Sequence, residues 1–281
     1  MSSDAASARL SPVGFFDSGV GGLSVRDAFA RTSPGESTIY LADTANCPYG
    51  NLPPDRIASL SRRNAEFLLS SGCKAVVVAC NTATAAAIDS LRSTWPDVPF
   101  IGMEPAIKPA ALQSKSGVVG VMATAGTFGG RLYRETKRRY ASSTVVMAVV
   151  ADELVGIAES MAHFAGGRFS MDDEDSMPPR LAERASESAR RLVEPLLAAG
   201  ADRIVLGCTH FLHLRKTIAR VAAGRAEIVD PADAVARQTA AVLARAGLSA
   251  PTGARTAHRM FSNRKQGGVV EYALRDQGLR F

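Results

Sequence analysis

The chain contains no apolar run approaching the ~18 residues that a membrane-spanning helix needs, so no span is expected. Met1–Pro12 is polar and Ser/Ala-rich, lacks the apolar centre of a secretory signal, and reads as a flexible tail of a cytoplasmic protein. Aromatic residues make up 6% of the sequence, and none is interleaved with the basic residues in the manner of a nucleic-acid module. The formal charge of +6 is spread over singles and pairs such as Arg62-Arg63 and Arg138-Arg139. It therefore reads as a solvated surface with no nucleic-acid partner, or as a field that draws an anionic substrate into a cleft. There is no CxxC pair and no Cys/His cluster at metal-ligand spacing, so neither a zinc site nor a disulfide framework is expected. Each of Cys47, Cys73, Cys80 and Cys208 is then either a small core hydrophobe or a reactive thiol.

What is present suits a soluble globular protein: 46% hydrophobic and 21% charged residues over 281 positions, enough for one large or two modest domains. Strand, Gly-rich turn and helix alternate. Val13–Phe16, Ile39–Ala42, Ala75–Ala79 and Phe100–Ile101 read as strands, with helical spacing over Arg56–Ser71 and Ala83–Leu91. Val118–Met122, Thr144–Val150 and Ile204–Leu206 are strands of the second half, with helices over Phe128–Tyr140, Leu181–Ala199 and Leu214–Ala222. Gly166–Pro179, acidic and containing two prolines, reads as an exposed loop. Ile228–Asp230 opens a strand–helix unit, and Met260–Ser262 followed by Val269–Leu274 gives another. The alternation predicts an α/β protein with parallel sheets.

A weak internal repeat is visible. VGFFDSGVGG (Val13–Gly22) lines up with VGVMATAGTFGG (Val119–Gly130), and VVACNTA (Val77–Ala83) with VLGCTHF (Val205–Phe211). Each half thus carries a cysteine at the carboxyl end of a strand, where open α/β sheets bind ligands. Taken singly, Cys80 and Cys208 read as core residues. As a pair at matching positions of a repeat, they read as two reactive thiols on either side of a shared cleft. At a helix start Cys80 is expected to lean towards thiolate, with Asn81 and Thr82 as donors beside it. Cys73 reads as core, and Cys47 is left unassigned. Asp17 is either an N-cap of the following helix or a carboxylate that binds an ammonium group or tunes a thiol. His210 packs, or adjusts the Cys208 thiol. His163, His213 and His258 read as structural. DSGVGGLS also resembles a dinucleotide-binding turn, with Asp43 ending the next strand, but Ser24 replaces its third glycine.

Together FFDSGVGGLSV, ADTANCPYGN, VVACNTATA, IGMEPA and VLGCTHF resemble the glutamate racemase family within the aspartate/glutamate racemase superfamily. The resemblance implies two pseudo-symmetric α/β domains facing a shared active-site cleft: a tail 1–12, a discontinuous first domain of 13–101 plus 225–281, and a second domain of 102–224. It implies racemisation of glutamate without cofactor or metal, for peptidoglycan synthesis, with Cys80 and Cys208 exchanging the α-proton. Cys80 would serve the D form and Cys208 the L form. Asp17 would assist Cys80, and His210 would assist Cys208. Asp17, Ser18, Tyr49, Gly50, Asn81, Thr82, Thr124, Thr127, Thr209 and His210 match substrate-binding positions, with Tyr49-Gly50 and Asn81-Thr82 as anchors for the carboxylates. A homodimer is compatible with this reading. One departure stands out. The family's Ala-Cys-Pro run and paired glutamates are replaced by ADELVGIAES (Ala151–Ser160), which keeps Glu159 of that pair. Two alternatives are a relative acting on aspartate, a hydantoin or a maleate-like diacid, and a nucleotide-binding protein that kept the fold without catalysis.

Overall fold

A computed structural model describes residues 3–141, 143–165, 167–263 and 268–274. A parallel sheet covered on both faces needs continuous apolar strands. The chain supplies them at β1 (Val13–Asp17), β2 (Thr38–Ala42) and β3 (Ala75–Val78), each buried along its whole length. β4 (Phe100–Gly102) completes a parallel set in the order β4-β3-β1-β2. The remaining strands are β5 (Val118–Ala123), β6 (Val145–Val150), β7 (Ala162–Ala165), β8 (Arg168–Met171), β9 (Arg203–Leu206), β10 (Glu227–Val229), β11 (His258–Ser262) and β12 (Val270–Leu274). A second parallel sheet runs β10-β9-β5-β6. The two orders superimpose strand for strand: β1 on β5, β2 on β6, β3 on β9 and β4 on β10. This is the duplication hinted at by the repeated motifs, and it sets the cysteine-bearing strands β3 and β9 at equivalent places.

The helices are α1 (Ser3–Leu10), α2 (Leu23–Thr32), α3 (Pro54–Ser70), α4 (Asn81–Thr94), α5 (Ile107–Gln113), α6 (Ala125–Gly129), α7 (Arg131–Tyr140), α8 (Glu153–Glu159), α9 (Pro179–Ala198), α10 (Arg215–Ala222) and α11 (Ala232–Arg245). On the first sheet, α2 and α11 pack on one face through Leu23, Phe29, Val235 and Leu243. The other face takes α3 and α4 through Leu60, Leu68, Ile88 and Leu91. On the second sheet, α8, α9 and α10 cover one face and α5 and α7 the other. Among the described residues no helix is long and apolar enough to cross a membrane.

Several expectations are corrected. The return to the first sheet does not begin at residue 225, because β10 pairs with β9 in the second sheet, and the crossing follows it as α11 packs on α2. The hairpin β7–β8, drawn from the middle of the chain, extends the first sheet through β12 instead of belonging to 102–224 as a unit. Val270–Leu274 is a strand antiparallel to β11. The N-terminal segment is helical from Ser3 and tied down at its end: Lys74 Nζ donates to the Arg9 carbonyl (2.6 Å), and Arg9 Nε to that of Ser249 (2.7 Å). The same Lys74 ammonium pairs at 2.6 Å with Glu36, both side chains almost fully buried. Gly130, in extended conformation, splits the helix expected over Phe128–Tyr140 into α6 and α7.

The acidic segment read as a loop is built into the fold. Arg168–Met171 is a strand, and the following 3-10 turn buries Glu174, whose carboxylate accepts the backbone N–H groups of Lys216 (2.8 Å) and Thr217 in the first turn of α10. Such a carboxylate satisfies donors that the helix itself leaves open and faces the positive end of its dipole. Glu174→Ala is expected to cost about 1–3 kcal/mol, because one buried and one part-buried N–H group lose their acceptor. Urea unfolding would read this as a lower midpoint at unchanged slope, with Glu174→Gln intermediate.

Candidate active site

Both cysteines stand where a strand has just ended and a helical turn begins. Cys80 is the N-cap of α4 with backbone angles of −145° and 120°, and Cys208 precedes the 3-10 turn Thr209–Leu214 with angles of −144° and 136°. The near identity of the two conformations follows from the matching strands. The sulfurs are close enough that charge on Cys208 raises the proton affinity of Cys80.

Their surroundings differ. Cys80 lies beside the Asp17 carboxyl group, close enough to feel its charge. Burial first, and the Asp17 charge second, hold its thiol well above the ordinary cysteine range, against the pull of the Ala83 N–H at 3.5 Å. The expected lean towards thiolate is therefore corrected: one helix N–H does not outweigh desolvation and a neighbouring anion. Cys80 rests as a thiol. Cys208 instead faces His210, with Nδ1 at 3.8 Å from its sulfur, while His210 Nε2 lies 2.6 Å from Glu159 Oε1. Burial alone would depress His210, but its hydrogen bonds to Cys208, Cys47 and Glu159 prevail and raise it well above the usual range. Burial likewise opposes the charge on Glu159, and its bonds to His210 and to the Val20 N–H overcome that and lower its pKa. The pair is a carboxylate and an imidazolium.

Asp17 is not the N-cap of α2, a position held by Gly22. Its Oδ1 accepts the Ser18 N–H (2.7 Å) and lies 3.4 Å from the Ser18 hydroxyl, and its Oδ2 accepts the Gly22 N–H (2.8 Å). From the other half, the Thr209 hydroxyl reaches the same Oδ2 at 3.2 Å. Glu159 Oε1 takes the Val20 N–H at 2.7 Å. The turn Ser18–Gly22 thus gives three of its backbone donors, those of Ser18, Val20 and Gly22, to two carboxylates, and those carboxylates would oppose a pyrophosphate there, against the dinucleotide reading. Its glycines have another cause. A Cβ at Gly19 would fall 2.0 Å from Glu159 Oε1, and one at Gly21 would fall 2.6 Å from His210 Nδ1. His213 Nε2 contacts the Gly21 carbonyl at 3.1 Å from the other side.

Thr82, Thr124 and Thr127 form a buried hydroxyl cluster across the two halves, with separations of 2.8, 3.0 and 3.4 Å. Gly50 and Gly126 admit them: a Cβ at Gly126 would stand 2.8 Å from Thr82 Cγ2, and one at Gly50 would stand 3.2 Å from Thr124 Cβ. Asn81 is buried with both atoms of its carboxamide unpartnered, in a small pocket bordered by Thr84, Glu104, Thr127 and Tyr133. Polar atoms so buried are normally paired, so this amide is suited to a ligand. The Tyr49 hydroxyl does not serve as an anchor. It donates to the Asp43 carboxylate and receives Asn64 Nδ2 at 3.1 Å inside the first half's core, while Gly50 lies against Thr124.

Sequence reasoning placed Asp17, Ser18, Cys80, Asn81, Thr82, Thr124, Thr127, Cys208, Thr209 and His210 as site residues, and folding brings them together between the sheets. Glu159 was not among them, although it was the survivor of an expected pair. Cys47, half-buried, has its thiol within hydrogen-bonding reach of His210. Cys73 is core, packed on Gly14, and burial pushes its thiol up to about 12. His163 pairs with Asp172 (2.8 Å), and His258 bonds Thr38 (2.9 Å), both away from the cleft.

The profile of the family described as Asp/Glu/Hydantoin racemase matches residues 24–239. The glutamate racemase of Herpetosiphon aurantiacus is 45% identical over 240 residues, spanning 85% of this chain and 87% of that one. That of Pseudomonas putida is 43% identical over 89% of this chain and 88% of its own length. A solved structure of Escherichia coli glutamate racemase, in complex with L-glutamate and the activator UDP-MurNAc-Ala, has a TM-score of 0.74 at 30% identity, covering 90% of this chain and 89% of that one. A Bacillus anthracis glutamate racemase gives a TM-score of 0.74 at 29% identity over 91% and 89%. The chain belongs to the glutamate racemase family of amino-acid racemases.

Proposed function

We propose that this protein interconverts L- and D-glutamate by passing the α-proton between Cys80 and Cys208, without a cofactor or resident metal. The observation that carries the reading is the pair of sulfurs at equivalent strand ends, each with its own proton partner: Asp17 for Cys80, and the Glu159–His210 pair for Cys208. Similarity to glutamate racemases over most of the chain supports glutamate over aspartate, a hydantoin or a maleate-like diacid.

With L-glutamate bound, the Cys208 thiolate takes the α-proton and leaves a planar carbanion. The Cys80 thiol, protonated at rest, gives its proton to the opposite face, and the D form results. Cys208 is then a thiol and Cys80 a thiolate, the state from which the D form reacts in reverse. The His210 imidazolium sits 3.8 Å from the Cys208 sulfur, and Glu159 keeps that ring charged and oriented. Asp17 holds the Cys80 proton between turnovers. The α-carbon is a very weak acid, so fixed donors must lower the barrier by orienting the substrate and stabilising charge. Ser18, Asn81, Thr82, Thr124, Thr127, Thr209 and the Tyr49-Gly50 backbone offer those donors, and the substrate carboxylates replace the hydroxyl bonds that the threonines now make with one another. The reaction suits the cytoplasm, where D-glutamate would enter peptidoglycan synthesis, and a homodimer is compatible with it.

Protein dialysed against chelator is expected to convert L-glutamate to racemate, followed by optical rotation, and to act far more slowly on L-aspartate. A rate recovered only on adding metal, pyridoxal phosphate or nicotinamide would overturn the two-thiol reading, and a preference for aspartate would overturn the substrate. Asp17 has its own test. In a Cys208→Ala background, the rate of iodoacetamide capture of Cys80, mapped by peptide mass, is expected to climb only at pH well above the ~8.5 of a free thiol. Adding Asp17→Asn removes a negative charge beside the sulfur, which favours the thiolate, so the climb moves to lower pH. An unmoved profile would detach Asp17 from Cys80.

A further inference from the structure

Cys47, Glu159 and His210 each offer a ligand atom, and those three atoms all lie within 4.8 Å of one another. They come from the segment after β2, the end of α8 and the turn after β9, so nothing in their sequence spacing announces them. Thiolate, imidazole and carboxylate form a donor set that suits a thiophilic divalent cation. We propose that this trio is an inhibitory binding site for such an ion, of the zinc or cadmium class, built into one wall of the catalytic cleft.

The geometry is close to what the ion needs. Tetrahedral zinc with ordinary bond lengths sets its sulfur and nitrogen ligands about 3.6 Å apart, and nitrogen and oxygen about 3.3 Å. No gap in the trio therefore has to close by more than about 1.2 Å, and the His210–Glu159 contact of 2.6 Å opens by about 0.7 Å. Outer partners are in place, as metal ligands require. Val20 N–H holds Glu159 Oε1 at 2.7 Å, and His210 presents its other nitrogen, Nδ1, to Cys208. Gly19 keeps the space clear, since a Cβ there would stand 3.1 Å from the Cys47 sulfur as well as on the Glu159 carboxylate. An ion can reach the trio because Cys47 is half-buried and the Glu159 side chain is 22% exposed.

Binding releases two protons to solvent: one from the Cys47 thiol, and the one shared between His210 Nε2 and Glu159. The sulfur, ring nitrogen and carboxylate each donate a lone pair to the cation, and no oxidant or reductant is involved. The ion takes the two groups that serve Cys208, so it inhibits. That consequence rests on the reading of His210 and Glu159 given above, whereas binding itself does not.

The test uses cadmium chloride and zinc chloride alone. One equivalent of cadmium should produce a thiolate-to-cadmium charge-transfer band in the parent protein and in Cys208→Ser, where catalysis is irrelevant. Cys47→Ala should lose the band and bind cadmium at least about tenfold more weakly by equilibrium dialysis, and its racemisation, measured against its own zinc-free rate, should resist zinc. Glu159→Gln should weaken binding as well, read by absorbance alone, and Cys73→Ala should behave as the parent. If Cys47→Ala does not fold, as judged by circular dichroism, Cys47→Ser takes its place. A band that survives in Cys47→Ala and disappears in Cys208→Ser would put the ion on the catalytic thiols and overturn the proposal. So would a parent protein that binds no cadmium at one equivalent. Binding at the trio without inhibition would leave the site standing and overturn the role of Glu159 and His210 in turnover.

Discussion

Two carboxylates hold the turn after β1. Asp17 binds it from within, through the N–H groups of Ser18 and Gly22, while Glu159 reaches across from the second half to that of Val20. Thr209 closes the circuit by donating to Asp17 from the end of β9. Each link is buried or partly buried, so losing either carboxylate strands donors that water cannot readily satisfy. Most of what the cleft does depends on this clamp. It fixes one carboxylate beside Cys80 and the other beside His210, and so gives the two sulfurs opposite electrostatic surroundings. The glycines of the turn follow from the same constraint, because Glu159 and His210 occupy the space that side chains at Gly19 and Gly21 would need.

The duplicated strand order explains why there are two thiols at all. A single α/β half brings one cysteine to one strand end; two halves with matching orders, set face to face, bring a second to the other side of whatever lies between. The symmetry stops at the backbone. The Cys80 side carries the Asp17 carboxyl group, and the Cys208 side an imidazole paired with Glu159.

The sequence was most legible where local pattern and burial agree. The apolar runs at β1, β3 and β9 and the cysteines that follow could be read directly, and the repeat made a pair of them. Asp17 was legible as important, though its N-cap reading failed because Gly22 occupies that position. What could not be read depends on contacts between distant segments. β10 looks like any short strand, and only pairing with β9 assigns it to the second sheet. The acidic stretch around Glu174 has loop composition, but its carboxylate is consumed by the start of α10. The Tyr49 hydroxyl is held in the core by Asp43, six residues earlier, which gave no sign of competing. The proton affinity of Cys80 was misjudged because a helix start is visible in sequence and the depth of burial is not. Cys47 belongs with Glu159 and His210 purely through tertiary packing.

The central claim is that Cys80 and Cys208 stand on opposite faces of the α-carbon, and deuterium uptake from heavy water by the single mutants tests it most directly. Cys80→Ala and Cys208→Ala should each lose interconversion in both directions, because each lacks the acid for one and the base for the other. The remaining thiol can still exchange the proton of the enantiomer it faces. Proton NMR of the α-position, with chiral chromatography, should therefore show deuterium entering the L form in Cys80→Ala and the D form in Cys208→Ala. Cys73→Ala should exchange and racemise both like the parent per folded molecule. Full racemisation by either cleft mutant, or uptake into the same enantiomer by both, would contradict the account.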